Sequence, residues 1–186
     1  MESAIQFRGP EFPVTMELIK TARILIVDGD FGHARLLERI LNDAGYLNLS
    51  TTMDPSLAVS MFNDDNPDLV LLDLPLPHED GTEILQNLRR LVPADTFLPI
   101  IVLTADATPQ TLRHAMAAGA TDFLCKPLGE IEPPLRIENL LRLHFLDREL
   151  KNERALLEQR VRERTRSLER MIAELRCAAL PLFNGN

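Results

Sequence analysis

Four short apolar runs, each closed by a chemically reactive residue, constrain this chain most. Ile24-Leu25-Ile26-Val27 meets Asp28, Leu69-Val70-Leu71-Leu72 meets Asp73, Ile100-Ile101-Val102-Leu103 meets Thr104, and Phe123-Leu124-Cys125 meets Lys126. Runs without polar interruption fit strands covered on both faces, as in parallel sheets. If they lie parallel, two carboxylates, a hydroxyl and an ammonium gather at one carboxyl edge, where open α/β folds hold their ligands. A lone Asp after a strand is ordinarily a solvated end or a helix cap. Four complementary groups at four strand ends point instead to a site, with Asp73 suited to phosphoryl chemistry.

Between these runs the apolar spacing turns helical. Leu37, Ile40, Leu41 and Ala44 form one face that stops at Gly45. A second helix is expected after the cap Asp54-Pro55, with Leu57, Ala58, Met61 and Phe62 facing inward and Pro67 closing the unit. Ile84, Leu85, Leu88, Leu91 and Val92 make a third face, and Leu112, Ala115 and Met116 a fourth that ends at Gly119. Leu47, Leu49 and Thr51 alternate with polar residues, which predicts a half-exposed edge strand. Right-handed crossovers then give a doubly wound α/β fold. Its five-stranded parallel sheet has the flavodoxin-like order 2-1-3-4-5, which sets Asp28 and Asp73 side by side at the switch point.

Composition narrows the class. With 186 residues, 45% of them hydrophobic, the chain can bury one core without covalent staples. Cys125 and Cys177 are far apart and form no metal-ligand spacing, so free thiols are expected. No eighteen-residue apolar run and no signal-peptide core occur, so no membrane span and a cytoplasmic location are expected. Residues 1–134 hold 9 Lys and Arg against 20 Asp and Glu, whereas residues 135–186 hold 11 against 8. An acidic body repels nucleic-acid backbones and attracts divalent cations, so no direct nucleic-acid partner is expected.

Val27-Asp28-Gly29-Asp30, Asp73 with Pro77 and Asp80-Gly81 beyond it, Thr104-Ala105 and Lys126-Pro127 occur in order. Together they resemble the receiver domain of bacterial two-component response regulators, over roughly residues 22–140. The resemblance implies that Asp73 is the phosphoacceptor for a sensor histidine kinase or phosphotransfer protein. It implies a Mg²⁺ ion held by Asp28, Asp73 and the backbone carbonyl of Pro75, with Lys126 paired to a phosphoryl oxygen. Thr104 would donate its hydroxyl to the same group, and Phe123 fits the switch aromatic or a plain strand residue.

Two positions depart from the family pattern. Gly29 stands where most such domains carry a second acid that ligates the metal, so Asp30 or a water must fill that place. Pro75 has no N–H and a fixed φ, which stiffens the loop after Asp73. His78 in that loop is either a general base for acyl-phosphate hydrolysis or a residue without a role. Asp106 either tunes water access or caps the helix before Thr108-Pro109.

After Pro133-Pro134 no Gly or Pro occurs until Pro181, which predicts one helix of roughly 45 residues, about 65–70 Å long. A heptad register with a at Leu140, Asp147, Arg154, Val161, Leu168 and Leu175, and d at Leu143, Leu150, Leu157, Arg164, Met171 and Ala178, leaves nine of the twelve seam positions apolar. A parallel homodimeric coiled coil is favoured over an isolated or antiparallel-packed helix, with Leu150, Leu157, Val161, Leu168, Met171 and Leu175 in the dimer seam. Arg160, Arg162, Arg164 and Arg166 spread around such a helix and make no basic stripe.

The expected organisation is therefore an arm at 1–22, a receiver at 23–133, the long helix at 134–179 and a tail at 180–186. Val161-Arg162-Glu163-Arg164-Thr165, after Leu156-Leu157-Glu158, resembles the linker of regulators with an HD-GYP cyclic di-GMP phosphodiesterase. No catalytic output domain is expected within this chain. Three readings stand: a phosphorylation-controlled module signalling through its helix, a pseudo-receiver that only binds partners, and the regulatory part of a cyclic di-GMP phosphodiesterase.

Overall fold

The apolar runs form the strands. A computed structural model of the chain describes residues 14–76 and 79–179, with their side chains except those of Glu79 and residues 175–179. Pro77, His78, the tail at 180–186 and the first thirteen residues of the arm lie outside the described residues. Strands β1 (Arg23–Val27), β2 (Asn48–Thr52), β3 (Leu69–Asp73), β6 (Ile100–Thr104) and β7 (Asp122–Cys125) make one parallel sheet in the order β2-β1-β3-β6-β7. This is the expected 2-1-3-4-5 order. Two-residue strands β4 (Pro75–Leu76) and β5 (Glu79–Asp80) pair separately, antiparallel, beside it.

Both sheet faces are covered, which accounts for the uninterrupted runs. Ile24, Ile26, Leu69, Leu71, Ile101 and Leu103 point to one face, against Leu37 and Leu41 of helix α2 (Phe31–Asp43). Leu25, Val70, Leu72 and Val102 point to the other, against α3 (Ala58–Asp65), α4 (Gly81–Leu91) and α5 (Pro109–Ala118) through Phe62, Leu85, Leu88 and Ala115. Strand β2 pairs only with β1 among the described residues, in keeping with its alternating sequence. Leu47, 78% exposed, lies just ahead of that strand.

Other expectations change. Within the segment read as an arm, Met16–Lys20 forms helix α1, capped by Thr15, whose hydroxyl accepts the Leu18 N–H. Five residues are too few to display a helical period, yet Val14, Ile19 and Ala22 are buried in the same core cluster as Tyr46 and Leu141. Leu57 is exposed because Pro55–Leu57 makes a 3₁₀ turn, whose tighter winding rotates it off the inward face set by Ala58 and Phe62. Leu91 and Met116 are exposed near the ends of their helices.

The largest difference concerns the long helix. Helix α6 runs over Glu132–Ala179, with Pro133 and Pro134 in its first turn, where a missing N–H costs no hydrogen bond. Its opening stretch belongs to the core of the sheet domain. Ile137, Leu141 and Phe145, four residues apart, are buried in the α2-facing cluster. Buried His144 places Nδ1 2.7 Å from the Phe97 carbonyl and Nε2 3.3 Å from an oxygen of Asp68, the residue before β3. The compact unit therefore runs to Leu146, beyond the boundary expected at 133, and Asp147 begins a second unit. In that unit Leu150, Leu157, Val161, Leu168 and Met171 are all more than half exposed.

The different burial of these leucines is measurable. Leu141→Ala is expected to lower stability by about 2–5 kcal/mol in equilibrium urea unfolding. Leu47→Ala should stay within about 0.5 kcal/mol of the parent.

Candidate functional site

Register brings the reactive strand ends together. Val27 lies opposite Leu72 and Asp73 opposite Leu103, so Asp28 and Asp73 leave neighbouring strands at one edge, with Thr104 on the next. Thr104 pairs with Cys125, which places Lys126 directly after β7 at the same edge. Asp28, Asp73 and Thr104 are all buried.

The Lys126 ammonium is the centre of the cluster. Nζ lies 2.8 Å from Asp73 Oδ1, 3.1 Å from Asp28 Oδ2 and 3.0 Å from His33 Nδ1. Asp28 is further fixed because its Oδ1 accepts the Asp30 N–H at 2.9 Å. Burial pushes the Asp73 carboxyl above its ordinary range and the neighbouring Asp28 charge adds to that, with Lys126 opposing both. Two carboxylates thus already enclose one cation.

The backbone beneath Asp73 is tightly seated. Asp80 caps α4 by accepting the Thr82 N–H, and Gly81 follows. A Cβ on Gly81 would stand 2.6 Å from the Leu74 carbonyl oxygen and 2.9 Å from that of Asp73. Only glycine fits there without moving the phosphoacceptor candidate's own peptide.

The remaining candidates take separate places. The Thr104 hydroxyl is engaged inside its own loop, accepting the Asp106 N–H at 3.0 Å and donating to the Asp106 carbonyl at 3.2 Å. Asp106 is a helix brace: its carboxylate accepts from the Thr108 N–H and, at 2.6 Å, from the Thr111 hydroxyl. The Thr111 hydroxyl, followed by the Thr108 amide, holds the Asp106 carboxyl below its ordinary range. The Asp30 carboxylate caps α2, accepting the His33 N–H at 2.9 Å, and that bond keeps it low. Pro75 is exposed in β4, and Phe123 is half-buried in β7 beside Val102. Among the described residues, no three His, Cys, Asp or Glu side chains form a ready metal cage. The Asp28 and Asp73 carboxylates nonetheless supply oxygen donors of the kind that suit Mg²⁺, which keeps several waters.

His33 is the residue that sequence reasoning missed. Its signal was faint: a histidine three residues past a helix cap, where side chains lean back toward the helix start and the sheet edge.

Residues 24–136 match the response regulator receiver domain family. The chain is 34% identical over 135 residues to the response regulator PleD of Caulobacter vibrioides, covering 73% of this chain and 29% of that protein. It is 35% identical over 139 residues to the cyclic di-GMP phosphodiesterase response regulator RpfG of Xanthomonas campestris pv. campestris, covering 74% of this chain and 36% of that protein. It thus spans about a third of the length of these relatives. A putative response regulator from Chloroflexus aurantiacus superposes with a TM-score of 0.60 at 32% identity, over 65% of this chain and 98% of that one. NtrX from Brucella abortus gives 0.64 at 31% identity, over 70% of this chain and 29% of that one.

Asp73 also makes a stability test. Because its folded pKa is raised, the folded protein holds this proton to higher pH than the unfolded chain. Stability from this group is therefore present at low pH and lost as pH rises through the folded pKa. Asp73→Asn is expected to unfold at higher urea concentration than the parent at neutral pH. The advantage should shrink as pH falls through the carboxylate range.

Proposed function

The chain belongs to the response regulator receiver domain family, and we propose that it accepts a phosphoryl group on Asp73 and signals through helix α6. The donor is a sensor histidine kinase or a phosphotransfer protein. The observation that carries this reading is the pair of buried carboxylates, Asp28 and Asp73, closed over the Lys126 ammonium at the sheet's carboxyl edge.

Each residue has a part in the transfer. Asp28, Asp73 and the Pro75 carbonyl would hold Mg²⁺, which when bound offsets the charge of the phosphoryl group and its attacker. Asp30 is committed to capping α2, so a water would complete the Mg²⁺ shell at the place Gly29 leaves without a carboxylate. Asp73 attacks in line while Lys126 turns one N–H to a phosphoryl oxygen. Thr104 exchanges its bond to the Asp106 carbonyl for one to the phosphoryl group, which moves its loop and the packing of Phe123. His78 needs no role in this scheme.

The output is the exposed seam of α6. Two copies of the chain pair through Leu150, Leu157, Val161, Leu168 and Met171, with Leu175 continuing the register. Asp147, Arg154 and Arg164 interrupt the seam, leaving a pairing weak enough for phosphorylation to bias. The domains of this reading are a receiver that takes in helix α1 and runs to Leu146, followed by the helical unit from Asp147. Free Cys125 accords with a cytoplasmic site of action, and no described helix is long and apolar enough to cross a membrane. The likeness to RpfG favours a second reading, in which this chain is the regulatory part of a cyclic di-GMP phosphodiesterase.

Incubation with Mg²⁺ and acetyl phosphate should add one phosphoryl group to the intact mass, and Asp73→Asn should remain unlabelled. Absence of the adduct from folded protein would make this a pseudo-receiver that acts by binding alone. Gly29→Asp should tighten Mg²⁺ binding in calorimetric titration by restoring the missing carboxylate. Charged residues at Leu157 and Val161 should shift the light-scattering mass from dimer toward monomer.

A further inference from the structure

A lysine ammonium has three protons to donate and no lone pair. Lys126 Nζ pairs by charge with Asp73 Oδ1 at 2.8 Å, without hydrogen-bond geometry, donates to Asp28 Oδ2 at 3.1 Å and meets His33 Nδ1 at 3.0 Å. The third contact requires a lone pair on Nδ1, so the neutral ring carries its hydrogen on Nε2. Helix α2 holds the ring there. Asp30 caps it and accepts the His33 N–H, so the first turn directs the imidazole over the sheet edge. The same Asp30 donates its own N–H to Asp28, so one segment places both hydrogen-bond acceptors of the ammonium.

We infer that His33 is a positioning residue for Lys126, holding one N–H of the ammonium while the N–H that neither Asp28 nor His33 engages turns to the incoming phosphoryl group. The inference rests on Asp73 being the phosphoacceptor. In the transfer an Asp73 oxygen forms the new O–P bond, and the bond from phosphorus to the donor's leaving group breaks. With acetyl phosphate, acetate departs with the electron pair. No proton changes owner: the third N–H of the ammonium turns to a phosphoryl oxygen, while Asp28 and His33 keep the other two. Without His33 the ammonium has one fixed tether instead of two, and its head settles onto Asp73, masking the nucleophile.

The His33 side chain is 47% exposed, so it can be replaced without opening the core. The test uses the full chain with Mg²⁺ and acetyl phosphate, following the rate of mass addition in the parent, His33→Leu and His33→Gln. His33→Leu should label about tenfold more slowly, the scale of one hydrogen bond to a charged group. His33→Gln, which restores an acceptor, should recover most of the rate. Nitrogen-15 spectra of the parent imidazole in mildly alkaline buffer should show Nδ1 bare and Nε2 protonated. A protonated Nδ1 in the neutral ring, or a His33→Leu that labels at the parental rate, overturns the inference while leaving Asp73 as phosphoacceptor. A parent that never labels removes the phosphoacceptor reading, and this role with it.

Discussion

Lys126 makes the carboxyl edge of this sheet possible. Two carboxylates buried side by side repel each other, and each has lost water that would otherwise solvate it. An ammonium placed between them compensates both, which is why Asp28 and Asp73 can stay buried. The rest of the architecture delivers that ammonium from the far side of the molecule. Asp28 follows β1 and Lys126 follows β7, with β3 and β6 between those strands in the sheet. The contact forms only if every intervening strand is in register, and both helical layers are needed to keep those strands dry.

The four apolar runs made most of this legible. Continuous burial on both faces leaves an unmistakable pattern, and reactive residues at the ends of such runs gather wherever the strands are parallel. Edge strand β2 could be read too, because one-sided exposure leaves alternation. Helix α1 could not, since its five residues present only one buried apolar position of their own, Ile19. Neither could the division of α6. Ile137, Leu141 and Phe145 are buried in the core cluster, while Leu150, Leu157 and Val161 are exposed, yet all recur at helical spacing. Periodicity reports a face and is silent on what covers it.

His33 and His144 illustrate a second limit. Each acts on partners distant in sequence: His33 through Nδ1 on Lys126, His144 through Nδ1 on Phe97 and Nε2 on Asp68. A solitary histidine in a helical stretch carries no pattern, so its partner emerges only once the chain has folded. Asp68 shows what such a contact does. Burial alone raises its carboxyl, but His144 and the Arg23 amide, which donates at 2.9 Å, outweigh that and hold it below its ordinary range. The base of the central strand thereby holds the beginning of the long helix by polar contacts as well as apolar ones.

Gly29 has an electrostatic consequence. Formal charges on Asp28, Asp73 and Lys126 leave the buried cluster with a single net negative charge, where a second consecutive acid would leave two. An approaching phosphoryl dianion is therefore repelled less by the resting protein. A cation, for the same reason, is held less firmly. In the proposed reaction the glycine would trade affinity for the metal against tolerance of the donor, so half-saturation would need a higher divalent-ion concentration than a three-acid site.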